Sequence, residues 1–224
     1  MASLAFISAA ELAAKIRGGA ISAIALTEYF IDRIERFDKD INAVVVKTFE
    51  SARSAARAAD QAAASGSPLH GVPMTIKKSY ALSGTPTTWV IEQFRDNVAT
   101  KDGLIVQRFK QSGAHFLGKT NVPVDLADFQ SYNPIYGVTS NPWDITRPPE
   151  GSSGGSAAAL SAGLSALEAG FDIGARFGTL HIFAAFMVIN QPMVWCRCKA
   201  MNYWQGYQKE TWPFAGLWLE APRT

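Results

Sequence analysis

The stretch from residue 151 to 167, GSSGGSAAALSAGLSAL, constrains this chain more than any other. Read as a glycine loop feeding a helix of small residues, it carries almost no side chain that could keep a neighbour at a distance. Such a helix is stable only when other elements pack closely against it. The residues before it supply those elements. GVPMTIKKSYAL has apolar residues at positions 72, 74 and 76 and reads as a strand with Lys77 near its end. AHFLG reads as a short strand, and INAVVV (41–46) as a β-branched one. Between them lie helix signals. Ser8 and Glu11 have the spacing of a capping box, opening a helix that stops at Gly18-Gly19. Leu26, Phe30, Ile34 and Phe37 recur at helical intervals, FESARSAARAADQAAASG is a strong helix former ending at Gly66, and DGLIVQRFKQSG is helical. Strands alternating with helices predict an α/β fold, its mixed or mostly parallel sheet flanked by helices. No internal repeat and no linker interrupts the chain before residue 174.

Composition narrows the function. With 48% hydrophobic and 18% charged residues, the chain is globular in type, and 224 residues suit one domain or a large piece of one. A net charge of +2 without a Lys/Arg run gives no footprint for nucleic acid or an anionic membrane. The first residues lack a basic segment before a long apolar core, so no signal peptide is read, and FAAFMVI is too short to span a bilayer. Cys196 and Cys198, one residue apart, suit neither a zinc site nor a disulfide framework, so a reducing cytoplasm is the expected compartment.

Two motifs carry possible chemistry. GAHFLGKT (113–120) has the letters of a phosphate-binding loop. That chemistry needs a strand before the first glycine and a helix after the threonine, so that backbone amides face the phosphates. Here a helix precedes Gly113, a strand lies inside the motif, and Pro123 discourages a following helix. The better reading is a helix C-cap followed by a core strand. The second constellation is Lys77 with GSSGGS (151–156). Either alone reads as an exposed strand-end lysine or a flexible turn. Together they have a use: burial favours the neutral amine, which can act as a base. Serine hydroxyls can relay its proton, and backbone amides such as those of Ser153 and Gly154 can face an oxyanion.

HGVPMTIKKS, FLGKTNVPVDLADFQSYN, GSSGGSAAALSAGLSALEAG and DIG together resemble the amidase signature family, from about residue 8 to residue 174. The resemblance implies an α/β fold around a mixed sheet and hydrolysis of carboxamide C–N bonds by a Ser–cis-Ser–Lys triad. Lys77 matches the lysine, and Ser152 the serine after the cis bond. The backbone of Ile173 and Gly174 matches the oxyanion turn. It implies a small-molecule amide as substrate and no cofactor or metal, with a homodimer as an assembly open to an intact member. The A-subunit of glutaminyl/glutamyl-tRNA amidotransferase is the rival within the family, and a non-catalytic fragment or pseudoenzyme is the rival of another class.

The departures from the family pattern are specific. The nucleophilic serine of the family's GGS falls on Arg176, within Gly174-Ala175-Arg176, and a guanidinium cannot form an acyl-enzyme. Glu150 stands where the loop usually has glycine, and Phe171 where a small hydroxyl residue is usual. Residues 175–203 can be encoded so that the same bases, read two positions later, give SIRNPAHFCGVYGHKPTYGLVPLQGHEL, which is similar to the family's continuation. Four of six tryptophans, both cysteines and three of five methionines follow residue 174. Residues 1–174 are therefore expected to be the N-terminal part of an amidase domain, and 175–224 an out-of-frame tail without a native fold, prone to sticky collapse. The family domain would continue past this chain's last residue, leaving sheet edges uncovered. Sequencing the gene across codons 172–178 is expected to reveal one base lost from a glycine codon pair; an intact family-style reading of that region as Gly-Ala-Arg would overturn the frame reading.

Overall fold

The computed structural model describes residues 4–62 and 66–170. The first helix, α1 (Ala9–Arg17), opens on a capping box in which the Glu11 amide donates to Ser8 Oγ and the Ser8 amide to the Glu11 carboxylate. It closes at Gly18, with Gly19 in the left-handed region. Helix α2 (Ala23–Phe37) buries Ala23, Leu26, Phe30 and Ile34 along one stripe. Phe37, expected in that stripe, is the last residue of the helix and is 45% exposed, with the Arg33 and Arg36 guanidinium groups over its ring. Helix α3 (Phe49–Gln61) packs against α2 and sends Asp60 back to its start. Asp60 accepts from the amides of Ala23 and Ile24 at 2.6 and 3.0 Å, placing a carboxylate at the positive end of α2. The helix stops at Gln61, short of the expected Gly66; residues 63–65 lie outside the described residues.

Three strands with a fourth at the edge form the main sheet. They are β1 (Val44–Lys47), β2 (Pro73–Lys77), β3 (His115–Thr120, after α4, Leu104–Gln111) and β6 (Glu168–Ala169), in the order β1-β3-β2-β6. The two short strands β4 (Tyr132–Asn133) and β5 (Gly137–Val138) make a separate antiparallel ladder, and α5 (Gly154–Ser161) follows them. β2 runs parallel to both β3 and β6, whereas β1 is antiparallel to β3, so the sheet is mixed and mostly parallel, as expected. Every residue of β2 and β3 is buried. Met74, Ile76 and Phe116 pack with Val106 of α4 on one face, while Leu117 packs with α2, α3 and α5 on the other. Side chains alternate between faces, so Thr75 and Lys77 lie on the face opposite Met74 and Ile76. β3 is longer than the five apolar-led residues of AHFLG suggest. It runs on through Lys119 and Thr120, whose polar groups are satisfied by neighbours, so polarity does not end the strand.

β1 begins at Val44, three residues after the expected start. Asn42 has a left-handed φ of 57°, and Asp38, after the end of α2, accepts from the amides of Ala43 and Val44 at 2.7 and 3.0 Å. Those amides are taken by a side chain instead of a strand partner, and burial lifts the Asp38 pKa against their pull. Asp38→Ala would leave two buried donors without partners. Loss of about 2–4 kcal/mol of stability is expected, read as a lower denaturant midpoint, with Asp38→Asn falling between the two.

Candidate functional site

The close approach that the small residues of 151–167 call for is realised at the start of α5. The Gly155 amide donates to the Asn121 carbonyl at 3.2 Å, and a Cβ on Gly155 would lie 2.7 Å from that oxygen and 2.9 Å from Asn121 Cα. Only glycine lets the helix start so near the end of β3. Just upstream, the Gly151–Ser152 peptide bond is cis. Ser152 and Ser153 are 5% and 2% exposed, and Ser153 is the N-cap of α5.

Lys77 closes β2 with none of its surface exposed, and its Nζ donates to Ser152 Oγ at 2.8 Å. A lysine so buried costs its neutral form less than its charged form. The arrangement can therefore take a proton from the serine and hand it back. Ser131, in a loop with no distinguishing pattern, holds the turn: its Oγ accepts from the Gly154 amide at 3.0 Å and donates to the Glu150 carbonyl at 3.3 Å. The Gly154 amide, offered by the sequence as an oxyanion donor, is thus engaged by a side chain here. Glu150 itself has a φ of 72°, the left-handed region in which glycine is at ease. Ile173, Gly174 and Arg176 lie outside the described residues, as does Phe171. A shallow cavity of about 490 Å³ lined by Glu35, Asp38, Lys39, Asn42, Lys47 and Tyr136 touches neither Lys77 nor Ser152.

The letters of a phosphate loop at 113–120 form no phosphate cradle. Gly113, at φ 92°, ends α4, and Lys119 belongs to β3 and is fully buried. Its Nζ donates to the Pro86 carbonyl and Thr87 Oγ1, both at 2.9 Å. The sequence reading missed that Lys78 joins it. Lys78 Nζ donates to the same Pro86 carbonyl at 2.9 Å and lies 4.7 Å from the centroid of the Tyr136 ring. Burial pushes the Lys78 ammonium down to about 8, and burial together with the Lys78 charge pushes Lys119 down to about 6. Two successive lysines thus serve opposite faces of the sheet, Lys77 toward α5 and Lys78 toward the 85–88 segment. Of the two, the sequence singles out Lys77 alone, through its pairing with GSSGGS and the family motif. Among the described residues, no group of three or more His, Cys, Asp or Glu side chains could hold a metal ion, and no helix is long and apolar enough to cross a membrane.

Comparison with known proteins gives a consistent answer. The family model described as Amidase matches residues 25–175. The indoleacetamide hydrolase of Bradyrhizobium diazoefficiens is 40% identical over 170 residues, 75% of this chain and 32% of the relative. A component of the glutamyl-tRNA(Gln) amidotransferase of Chromohalobacter salexigens is 40% identical over 178 residues, 79% of this chain and 36% of the relative. The solved structure of 6-aminohexanoate cyclic dimer hydrolase complexed with substrate superposes with a TM-score of 0.67 at 33% identity, covering 73% of this chain and 33% of that one. The chain thus spans about a third of the length of these proteins.

The buried lysines carry a consequence for stability against pH. Their folded pKa values lie below the ordinary value of 10.5, so the unfolded chain binds the protons more tightly. Their stabilising contribution is complete above about pH 10.5 and is lost as pH falls toward about 8 for Lys78 and about 6 for Lys119. The thermal midpoint is expected to rise between pH 8 and pH 10, and Lys119→Met to flatten that rise whatever it does to the absolute midpoint. A series of melts across that range in wild type and variant checks both.

Proposed function

The chain belongs to the amidase family, and on that premise we propose that its site is built for hydrolysis of a carboxamide C–N bond but lacks the nucleophile as written. The observation that carries the first half is the buried contact of Lys77 Nζ with Ser152 Oγ at 2.8 Å. In that chemistry the neutral Lys77 amine accepts the Ser152 proton while Ser152 accepts one from the attacking hydroxyl. The hydroxyl oxygen bonds to the amide carbonyl carbon, and the backbone amides of Ile173 and Gly174 receive the resulting oxyanion. The amine then leaves with the returned proton, and water releases the acyl group. The second half rests on the sequence. Gly174-Ala175-Arg176 replaces the family's Gly-Gly-Ser, and residues 175–203 can be encoded so that another frame gives a family-like continuation. Ser152 is a poor substitute, because its hydroxyl is already committed to the lysine.

The likeness to a component of a tRNA amidotransferase supports a second reading, in which the intact protein would pass ammonia to a partner protein working on charged tRNA. Co-purification of a partner together with tRNA-dependent amide transfer distinguishes it from a stand-alone amidase.

Four proteins test the main reading: the 224-residue chain, its Arg176→Ser variant, the product of the gene with the base restored, and that product carrying Lys77→Ala. Ammonia release from simple aliphatic and aromatic amides is expected from the third alone. Loss of a nucleophile removes roughly 10⁶-fold in rate, and Arg176→Ser by itself does not rebuild the downstream pocket. Turnover by the unrepaired chain that disappears on Lys77→Ala would show that another group attacks.

A further inference from the structure

One buried carboxyl near the Lys77–Ser152 pair has no part in the proton relay. Glu168 sits on the edge strand β6, where it pairs in parallel register with Thr75 of β2. Thr75 and Lys77 are two residues apart on one strand and so present their side chains to the same face. The Glu168 carboxyl reaches that face, because Thr75 Oγ1 donates to its Oε2 and Thr120 Oγ1 to its Oε1 at 3.4 Å. Thr120 is the register partner of Lys77 across the β2–β3 pairing. Its hydroxyl also lies 2.9 Å from Ser156 Oγ, in the first turn of α5 and four residues beyond Ser152.

A single carboxyl therefore ties together the strand that carries Lys77, the strand beside it, and the helix start that carries Ser152. Its side-chain partners are hydroxyls, joined by the Ala169 amide, and no salt bridge engages it among the described residues. Lys77 is the one cationic side chain that β2 presents to this face. Lys119 of β3 turns instead toward Pro86 and Thr87, and Lys78 toward Pro86 and Thr88. A carboxyl in such surroundings is most stable in its uncharged form, donating to one hydroxyl while accepting from the others. Burial, opposed only by hydrogen bonds, holds its pKa up at about 8.

We propose that Glu168 is a positioning residue of the amide-hydrolysing site, fixing the Lys77–Ser152 contact through Thr75, Thr120 and Ser156. The proposal rests on the reading of Lys77 and Ser152 as a proton-passing pair. It does not depend on the frame of the downstream sequence, and it can be tested in the chain as it stands. A neutral Glu168 adds no charge beside the lysine, so the amine stays easy to deprotonate. Ionisation of Glu168 above about pH 8 would raise the lysine's affinity for its proton.

The test follows the Lys77 side chain by NMR in the full 224-residue protein labelled at lysine Cε, its signal identified by its loss in Lys77→Arg. In wild type, the Lys77 signal is expected to inflect near pH 8 as Glu168 ionises. Glu168→Gln keeps an uncharged hydrogen-bonding group of the same length. It should preserve the Lys77 shift at pH 7 and remove the inflection. Glu168→Ala should carry the Lys77 shift toward that of a free lysine. A merely structural role would alter the melting temperature of Glu168→Ala while leaving its Lys77 shift at pH 7 at the wild-type position. Persistence of the inflection in Glu168→Gln would overturn the proposal, and that variant decides the matter alone if Glu168→Ala does not fold. Ser152→Ala separates the two readings. If it leaves Lys77 unchanged, the pair itself fails; if it moves Lys77 while Glu168→Gln keeps the inflection, only the role of Glu168 fails.

Discussion

Backbone resting on backbone is the constraint from which the rest of this structure follows. Asn121, fully buried at the end of β3, accepts from the Gly155 amide and donates its own amide to the Ala43 carbonyl. Its side chain donates to the Gly137 carbonyl and Thr139 Oγ1, and accepts from Asn133 Nδ2. One residue therefore joins the first strand, the β4–β5 ladder and the start of α5. The junction closes only because Gly155 has no Cβ, and any side chain there would push α5 outward. A shift of even ~1 Å would stretch the 2.8 Å contact between Ser152 and Lys77 out of hydrogen-bond range.

A second consequence is electrostatic. Three lysines are fully buried at the ends of β2 and β3, a place where parallel strands leave carbonyls and hydroxyls unclaimed by the ladder. Lys77 donates to Ser152, and the amines of Lys78 and Lys119 are met by uncharged oxygens, the Pro86 carbonyl with threonine hydroxyls. Oxygen dipoles offset less of the desolvation cost than a carboxylate would, so the neutral amine gains ground. For Lys78 and Lys119 this weakens the native state at low pH.

Much of this was legible beforehand, for reasons that differ by element. The α1 capping box and the Leu26-Phe30-Ile34 stripe are local patterns, and local patterns survive folding when nothing contradicts them. The neighbourhood of Lys77 and Ser152 was legible because a short glycine- and serine-rich loop and a strand-end lysine make chemical sense together. What escaped reading is long-range and polar. Asp38 taking two amides from the start of β1 looks like any helix-end aspartate, and Ser131 like any loop serine. The burial of Lys119 and Lys78 escaped too, since nothing within a few residues announces that a threonine-rich segment from 85 to 88 folds over them. Glu168 was passed over because its three hydroxyl partners come from residues 75, 120 and 156.

Arg33 adds a temporal dimension. From the middle of α2 it donates to the carbonyls of Gly163 and Ala162 at 2.6 and 2.8 Å, covering the far end of α5. An eight-residue helix containing two glycines and two serines has no capacity to persist alone in water. One of its ends needs Asn121 and the other needs Arg33, partners 34 and 130 residues distant along the chain. Contacts of such span form late, after the loops that separate them have closed. Lys77 takes its place through the pairing of β2 with β3, which joins residues 73–77 to 115–120 and is itself long-range, and it meets Ser152 only where the helical layer has docked. The Ser152 side of the contact therefore hangs on two separate long-range dockings, and loss of either one frees it.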